Sequence, residues 1–285
     1  MSVSEWDTPI NRGGIPSTVG EYSVTITKSG PRATRHWSYA TASGHKSIAK
    51  MQAATSWEMS AVPYIPCVRL AAEHAAAVKN AGVSGMMLGW TLGGYPSPNL
   101  AVIAEIGAGA TPRAAMATVA ERRNGRTHKD ATLKLWDAVS DAMQEFPFHI
   151  TTVYQAPFQQ SVSNPLWVEP TGYRSTMVGF GYDDIDGWRA VYPPHIFADQ
   201  LSKVADGIFA AVAQTRTATD ISKGLAQDAR YAEAVALAYS SVADQMRFYM
   251  LRSAGKLKSR AARQILERER TRAVRMLELQ AIDAC

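Results

Sequence analysis

Three apolar runs in the first hundred residues end in tryptophan, and two of them place an acid beside it. The first closes on Ser4-Glu5-Trp6-Asp7. The second passes Lys50 and Gln52 to reach Ser56-Trp57-Glu58, and the third ends Gly89-Trp90-Thr91-Leu92. Indole rings stack on the C–H face of a sugar, while carboxylates, amides and guanidinium groups bond its hydroxyls. Glycoside cleavage also needs two carboxyl groups about 5–9.5 Å apart around one bond. Glu5 and Glu58 are therefore the candidate catalytic pair. Trp6, Asp7, Arg12, Gln52, Trp57 and Trp90 are candidate substrate contacts. The Gly/Pro-rich stretch after Trp90 adds Tyr95 and Asn99, with Asn99 also placed to cap the next helix. Each position has a plainer reading: an acid at a strand end pairs with a nearby base, a tryptophan fills a core, and Lys50 pairs with a neighbouring acid.

Other chemistries find little support. The six histidines never fall at helical metal-binding spacing, so no metal or other cofactor is expected. Asp183-Asp184 and Asp186 lack the glycine and glutamate of a calcium loop and read as turn or capping acids. There is no nucleophile elbow and no phosphate-binding loop. Residues 252–275 carry nine Lys/Arg against two acids. Without interleaved aromatics, that run reads as a solvated helix face, and nucleic acid is not an expected partner.

These groups need elements to position them. Strand signals cover Ser2–Asp7, Ser47–Ala54 and Val83–Trp90. Helix signals cover Arg32–Ser43, Val68–Asn80 and Leu100–Ile106. The alternation predicts parallel strands with helical crossovers, whose carboxyl ends line a site. Three strands fit the edge of a doubly wound sheet or three-eighths of a barrel; no Gly-x-Gly-x-x-Gly turn favours the former. Beyond residue 109 the period becomes helical, with stripes at Trp136/Val139/Met143/Phe146, Phe197/Leu201/Val204/Ile208 and Val235/Tyr239/Val242/Met246/Tyr249. A long aromatic, proline-rich loop, 148–194, separates the first two.

The 285 residues, 46% hydrophobic and 19% charged, can bury a sizeable core. Two cysteines without disulfide or zinc spacing suit a reducing compartment. With no apolar leader and no spanning segment, a cytoplasmic protein without membrane contact is expected.

The stretches SEWDTPINRGG, GPRATRHW, AKMQAATSWEMSAVPYIP, MMLGWTLGGYPSPNL, EFPFHITTVYQAPFQQ and EPTGYRSTMVGFGYDDIDGWRAVYPP resemble the C-terminal portion of a bacterial glycoside-hydrolase-like (β/α)8-barrel family, akin to β-N-acetylhexosaminidases. The likeness runs over roughly residues 1–215. It implies an α/β fold: the last three strand-helix units of a barrel in residues 1–108, then a mainly helical region, 109–285. It implies a carbohydrate ligand, with Glu5, Trp6, Asp7, Arg12, Gln52, Trp57, Glu58, Trp90, Tyr95 and Asn99 in the pocket. It further implies a truncated or split hydrolase, its missing strands supplied by a partner chain or a homo-oligomer. The non-catalytic alternative is a sugar-binding or structural half-barrel.

Overall fold

A computed structural model describes residues 1–89, 95–217 and 220–283. In chain order the elements are β1 (Ser2–Val3), β2 (Thr8–Arg12), β3 (Ile15–Val19), α1 (Pro31–Ala42), β4 (Ile48–Gln52), α2 (Val68–Asn80), β5 (Gly85–Gly89), α3 (Pro98–Gly107), α4 (Pro112–Met143), α5 (Ile150–Gln155), a 3-10 turn (Pro157–Gln160), α6 (Ile185–Trp188), α7 (Pro194–Arg216), α8 (Lys223–Ser253) and α9 (Arg260–Ile282).

The expected partial (β/α)8 barrel is not what forms. The described residues are 57% helical, with five short strands among them divided between a three-stranded parallel sheet and a separate antiparallel pair. The parallel sheet has the order β1-β4-β5. Local reading located these strands, yet β1 is two residues long rather than six. The backbone turns at once: Trp6 N–H returns to Val3 O, Thr8 N–H to Glu5 O, and Asp7 takes a φ of 64°. Residues 8–19 then make a hairpin, β2–β3, around Gly13 and Gly14 at φ 58° and 79°. Two successive left-handed residues are what a tight hairpin turn needs, and glycine supplies them without a Cβ penalty. From Pro98 onward the described elements are helices packed on one another, apart from the 3-10 turn.

Two cores result. One lies between the sheet and helices α1–α4, built from Ala49, Met51, Ala72, Val78, Val102, Val119 and Trp136 among others. The other is helical, with Phe146, Phe158, Phe197, Leu201, Tyr239 and Met246 at its centre. α8 runs through it with nearly every residue from Asp228 to Tyr249 buried, so its apolar character extends all round, as a central helix requires. The stripes read at 136–146, 197–208 and 235–249 are these core faces. α4 contributes to both cores, and breaks its helical path at Gly125 (φ 78°, ψ 163°). The 148–194 stretch holds α5, the 3-10 turn and α6 within its loops. No described helix is long and apolar enough to cross a membrane.

Four of the nine basic residues of 252–275, Arg252, Arg268, Arg272 and Arg275, are ion-paired. Asp244 of α8 accepts from Arg268 (2.8 and 2.9 Å) and Arg272 (2.6 Å). Glu233 accepts from Arg275 (2.8 and 2.9 Å), and Arg252 reaches Asp183 at 3.0 Å. Burial opposes the charge on Asp244 and Glu233, but these arginine bonds outweigh it and hold both carboxyls below their usual range.

Candidate functional site at the carboxyl ends of the parallel strands

Side chains alternate across β4, so Ala49 and Met51 enter the helix-covered core while Ile48, Lys50 and Gln52 take the other face. The register pairs Ile48 with Gly85, Lys50 with Met87 and Gln52 with Gly89. That second face is bare toward its amino end, where Ile48 and Met87 are 43% and 40% exposed. Its carboxyl end carries the polar groups.

Glu5 is brought there by the turn that ends β1. Gly30 N–H bonds Ser4 O at 2.7 Å, and a Cβ on Gly30 would lie 2.0 Å from Trp6 O. Only glycine permits this approach, which fixes the backbone under Glu5. The Glu5 carboxyl is fully buried. Its Oε1 accepts the Gln52 main-chain N–H at 3.1 Å, and its Oε2 has no partner. Burial pushes its pKa up to about 7, a rise moderated by the Gln52 bond and by Lys50. The Gln52 side chain is also buried, with neither its oxygen nor its nitrogen bonded. Buried polar atoms without partners are uncommon and cost about 1–3 kcal/mol each.

Lys50, on the same face of β4 as Gln52, reaches an aromatic group. Trp57 and Tyr154 rings lie 5.7 Å apart, and Tyr22 approaches them at 6.4 and 5.7 Å. Trp57 and Tyr154 keep part of their surface exposed. Lys50 Nζ sits 4.5 Å from the Tyr22 ring centre and 3.3 Å from Glu21, so the pairing expected for this lysine is present. Sequence reasoning passed over Glu21 and Tyr22. The one local signal is that Tyr22 adopts a φ of 69°, a strain that spacing does not reveal.

Glu58 is a different kind of acid. Its Oε1 accepts from Ser23 Oγ at 2.7 Å, and its Oε2 from Val24 N–H at 2.8 Å and Ser56 Oγ at 2.9 Å. It is fully buried, and burial raises its pKa to about 7 against those donors and Arg12. The saturated carboxylate of Glu58 clasps the 23–25 loop to the 56–59 turn.

The other expected contacts scatter. Trp6 packs edge-on against His36 (5.6 Å) under Arg32 (4.4 Å), and Asp7 is an exposed partner of Arg35 at 3.9 Å; both turn toward α1. Arg12 is half-buried in the field of Tyr192, Glu145 and Glu58, and burial lowers its pKa. Asn99 does not cap α3. Ser97 does, accepting from Leu100 N–H at 3.3 Å, while Asn99 is buried and donates to Ala53 O and Ile65 O, both at 3.0 Å. An amide can satisfy two carbonyls at once, and a buried loop needs that more than the helix needs a second cap. Trp90 lies outside the described residues. Tyr95 lines a cavity of about 630 Å³ together with Met59, Tyr231, Ala238, Met276 and Leu279. Neither Glu5 nor Glu58 lines that cavity.

The three aspartates each hold a structural bond. Asp183 accepts from Thr171 and Arg252, Asp184 from Arg174 and Ser175 N–H, and Asp186 from Arg189. No cluster of metal-ligating side chains occurs among the described residues. No protein-family model, no curated protein and no solved structure matches the chain.

Proposed function

We propose that the protein binds a glycan at the carboxyl ends of β1 and β4. Trp57 and Tyr154 would stack its apolar face, and Glu5 and Gln52, which are closed off from solvent, would bond its hydroxyls once the groups above them move aside. The observation that carries this reading is the set of orphaned polar atoms, Glu5 Oε2 and both amide atoms of Gln52, together with partly exposed aromatic rings. Sugar hydroxyls both donate and accept, so one ligand type can satisfy a protonated acid and an amide together. Binding is favoured over hydrolysis because both oxygens of Glu58 are already occupied. Cleavage by two carboxyl groups would then have one acid, Glu5, available.

A glycan array followed by titration calorimetry tests the reading, with Gln52→Ala as the control variant. Aryl glycosides of several sugars test for turnover in parallel. Saturable binding that Gln52→Ala weakens supports the proposal. A wild-type chain that neither retains a glycan nor cleaves an aryl glycoside removes it.

A second reading rests on the bare part of the same sheet face. Exposed Ile48 and Met87 on a parallel sheet suit a partner chain laid against them, because sheets of this kind are ordinarily covered on both sides. Met87→Lys should abolish such a complex without unfolding the chain, as read by co-purification and circular dichroism.

A further inference from the structure

The cavity that Tyr95 lines runs between α8 and α9, and its volume of about 630 Å³ is that of a small-molecule site. The two helices are antiparallel, since Arg230 pairs with Asp283, Glu233 with Arg275 and Asp244 with Arg268. α8 presents Arg230, Ala234 and Ala238 to the cavity at intervals of four residues, so the three share one stripe of the helix. Met276, Leu279 and the capping residue Asp283 line it from α9. Two alanines in succession leave a trough that the α9 side chains do not fill. Its ends are unlike. Arg230 and Asp283 stand at one end, their side chains 22% and 16% exposed, and they are the only charged groups among the described residues that line the cavity. Ala238 and Met276 stand toward the other, about 12 Å further along α8.

The apolar stretch suits a hydrocarbon better than water, because a confined water needs about two to four polar partners. The charged end has capacity left over. Asp283 takes the Nε–H and one N–H of Nη2, the latter at 2.9 Å, which engages both of its own oxygens. The remaining N–H groups of the Arg230 guanidinium have no partner among the described residues. The open groups at this end are therefore donors, and a ligand head there must accept. We propose that the cavity binds an amphipathic carboxylate of the fatty-acid class. Its carboxylate takes the free edge of Arg230 in charge-assisted bonds. Its chain lies along Ala234, Ala238, Met276 and Leu279, where the small side chains leave width for unbranched methylenes. Met276, flexible and polarizable, adapts to the chain end. Neither Glu5 nor Glu58 lines the cavity, so this site is separate from the one proposed for a glycan.

Titration calorimetry of the full chain with decanoate and with decanol, each below the concentration at which it aggregates, gives the test. The wild-type chain should bind decanoate saturably, and decanol about tenfold more weakly for want of a charged head. Arg230→Gln should weaken decanoate about tenfold and leave decanol unchanged. Ala234→Leu, which fills the trough, should abolish binding of both. Asp283→Asn removes the carboxylate that shares Arg230 with the ligand, so it should strengthen decanoate by about threefold or more. Circular dichroism reports whether each variant folds. Asp283→Asn, just past the end of α9, keeps the test open should Arg230→Gln or Ala234→Leu unfold the chain. A wild-type chain that does not bind decanoate, decanol held as tightly as decanoate, a folded Ala234→Leu that binds like wild type, or decanoate affinity unmoved by Asp283→Asn overturns the proposal.

Discussion

The main-chain N–H of Gln52 bonds one oxygen of Glu5 across the β1–β4 junction at 3.1 Å and leaves the other oxygen without a partner. A fully buried acid with its pKa raised to about 7 from 4.5 prefers its proton in the folded state. The folded chain then binds more protons than the unfolded chain between those values. Its contribution to stability is fully present below pH 4.5 and is lost as pH rises through 7, by on the order of 3 kcal/mol. Urea unfolding at pH 5 and pH 8 should show the wild type more stable at the lower pH. Glu5→Gln should reduce that difference and raise stability at pH 8. Equal stability of the wild type at both values would remove the burial argument.

Glu58 should behave as a clasp. Glu58→Gln turns an acceptor for Ser23, Val24 or Ser56 into an N–H donor, which leaves a buried donor unmatched. A loss of about 1–3 kcal/mol is expected, measured by denaturant midpoint. Any glycan affinity that survives should match the wild type, because no oxygen of Glu58 is open to a ligand.

The tryptophans should separate cleanly. Trp57 packs with Tyr22 and Tyr154, the aromatic group that Lys50 reaches, whereas Trp6 packs on His36 and Arg32 at α1. Trp57→Ala should weaken glycan binding about tenfold in calorimetry, the scale of one stacking contact. Trp6→Ala should leave affinity unchanged. Equal losses in both would show that the aromatic group is not the binding face.

Acid should release α9. Against burial, arginines of α9, joined at Glu233 by Arg216 of α7, hold Asp244 and Glu233 below their usual pKa, so their stabilisation is present above the unfolded values and falls as pH drops through the folded ones. At pH 3, pepsin should cut first in the 254–259 connection, and mass spectrometry of the fragments would read it. First cuts in α7 or α8 would mean that the arginine bonds do not govern docking.

How much of this the sequence carried depends on the range of the forces involved. β4, β5, α2 and the helical stripes are set by local period and turn residues, and they stand where hydropathy put them. The hairpin at 8–19 was signalled only by Gly13-Gly14, a pair that equally marks an open loop. The barrel failed because closure depends on how many strands share one sheet, which no single segment encodes. Local reading places Glu5 and Gln52 at strand ends, and the structure puts them there, joined by one hydrogen bond. The separation of Glu58 from Glu5 in role was not legible, because Ser23 and Val24 reach it from 34 or more residues away. Asn99 was misread for the same reason, its carbonyl partners lying in other segments.

α4 belongs to both interiors, its Val119 and Trp136 facing the sheet side and its Val139 and Met143 the helical side. Cutting the chain at 108/109 would therefore strip α2 and α3 of the surface they pack on. Neither piece should survive excision, and calorimetry of the whole chain should register one cooperative melt in place of two.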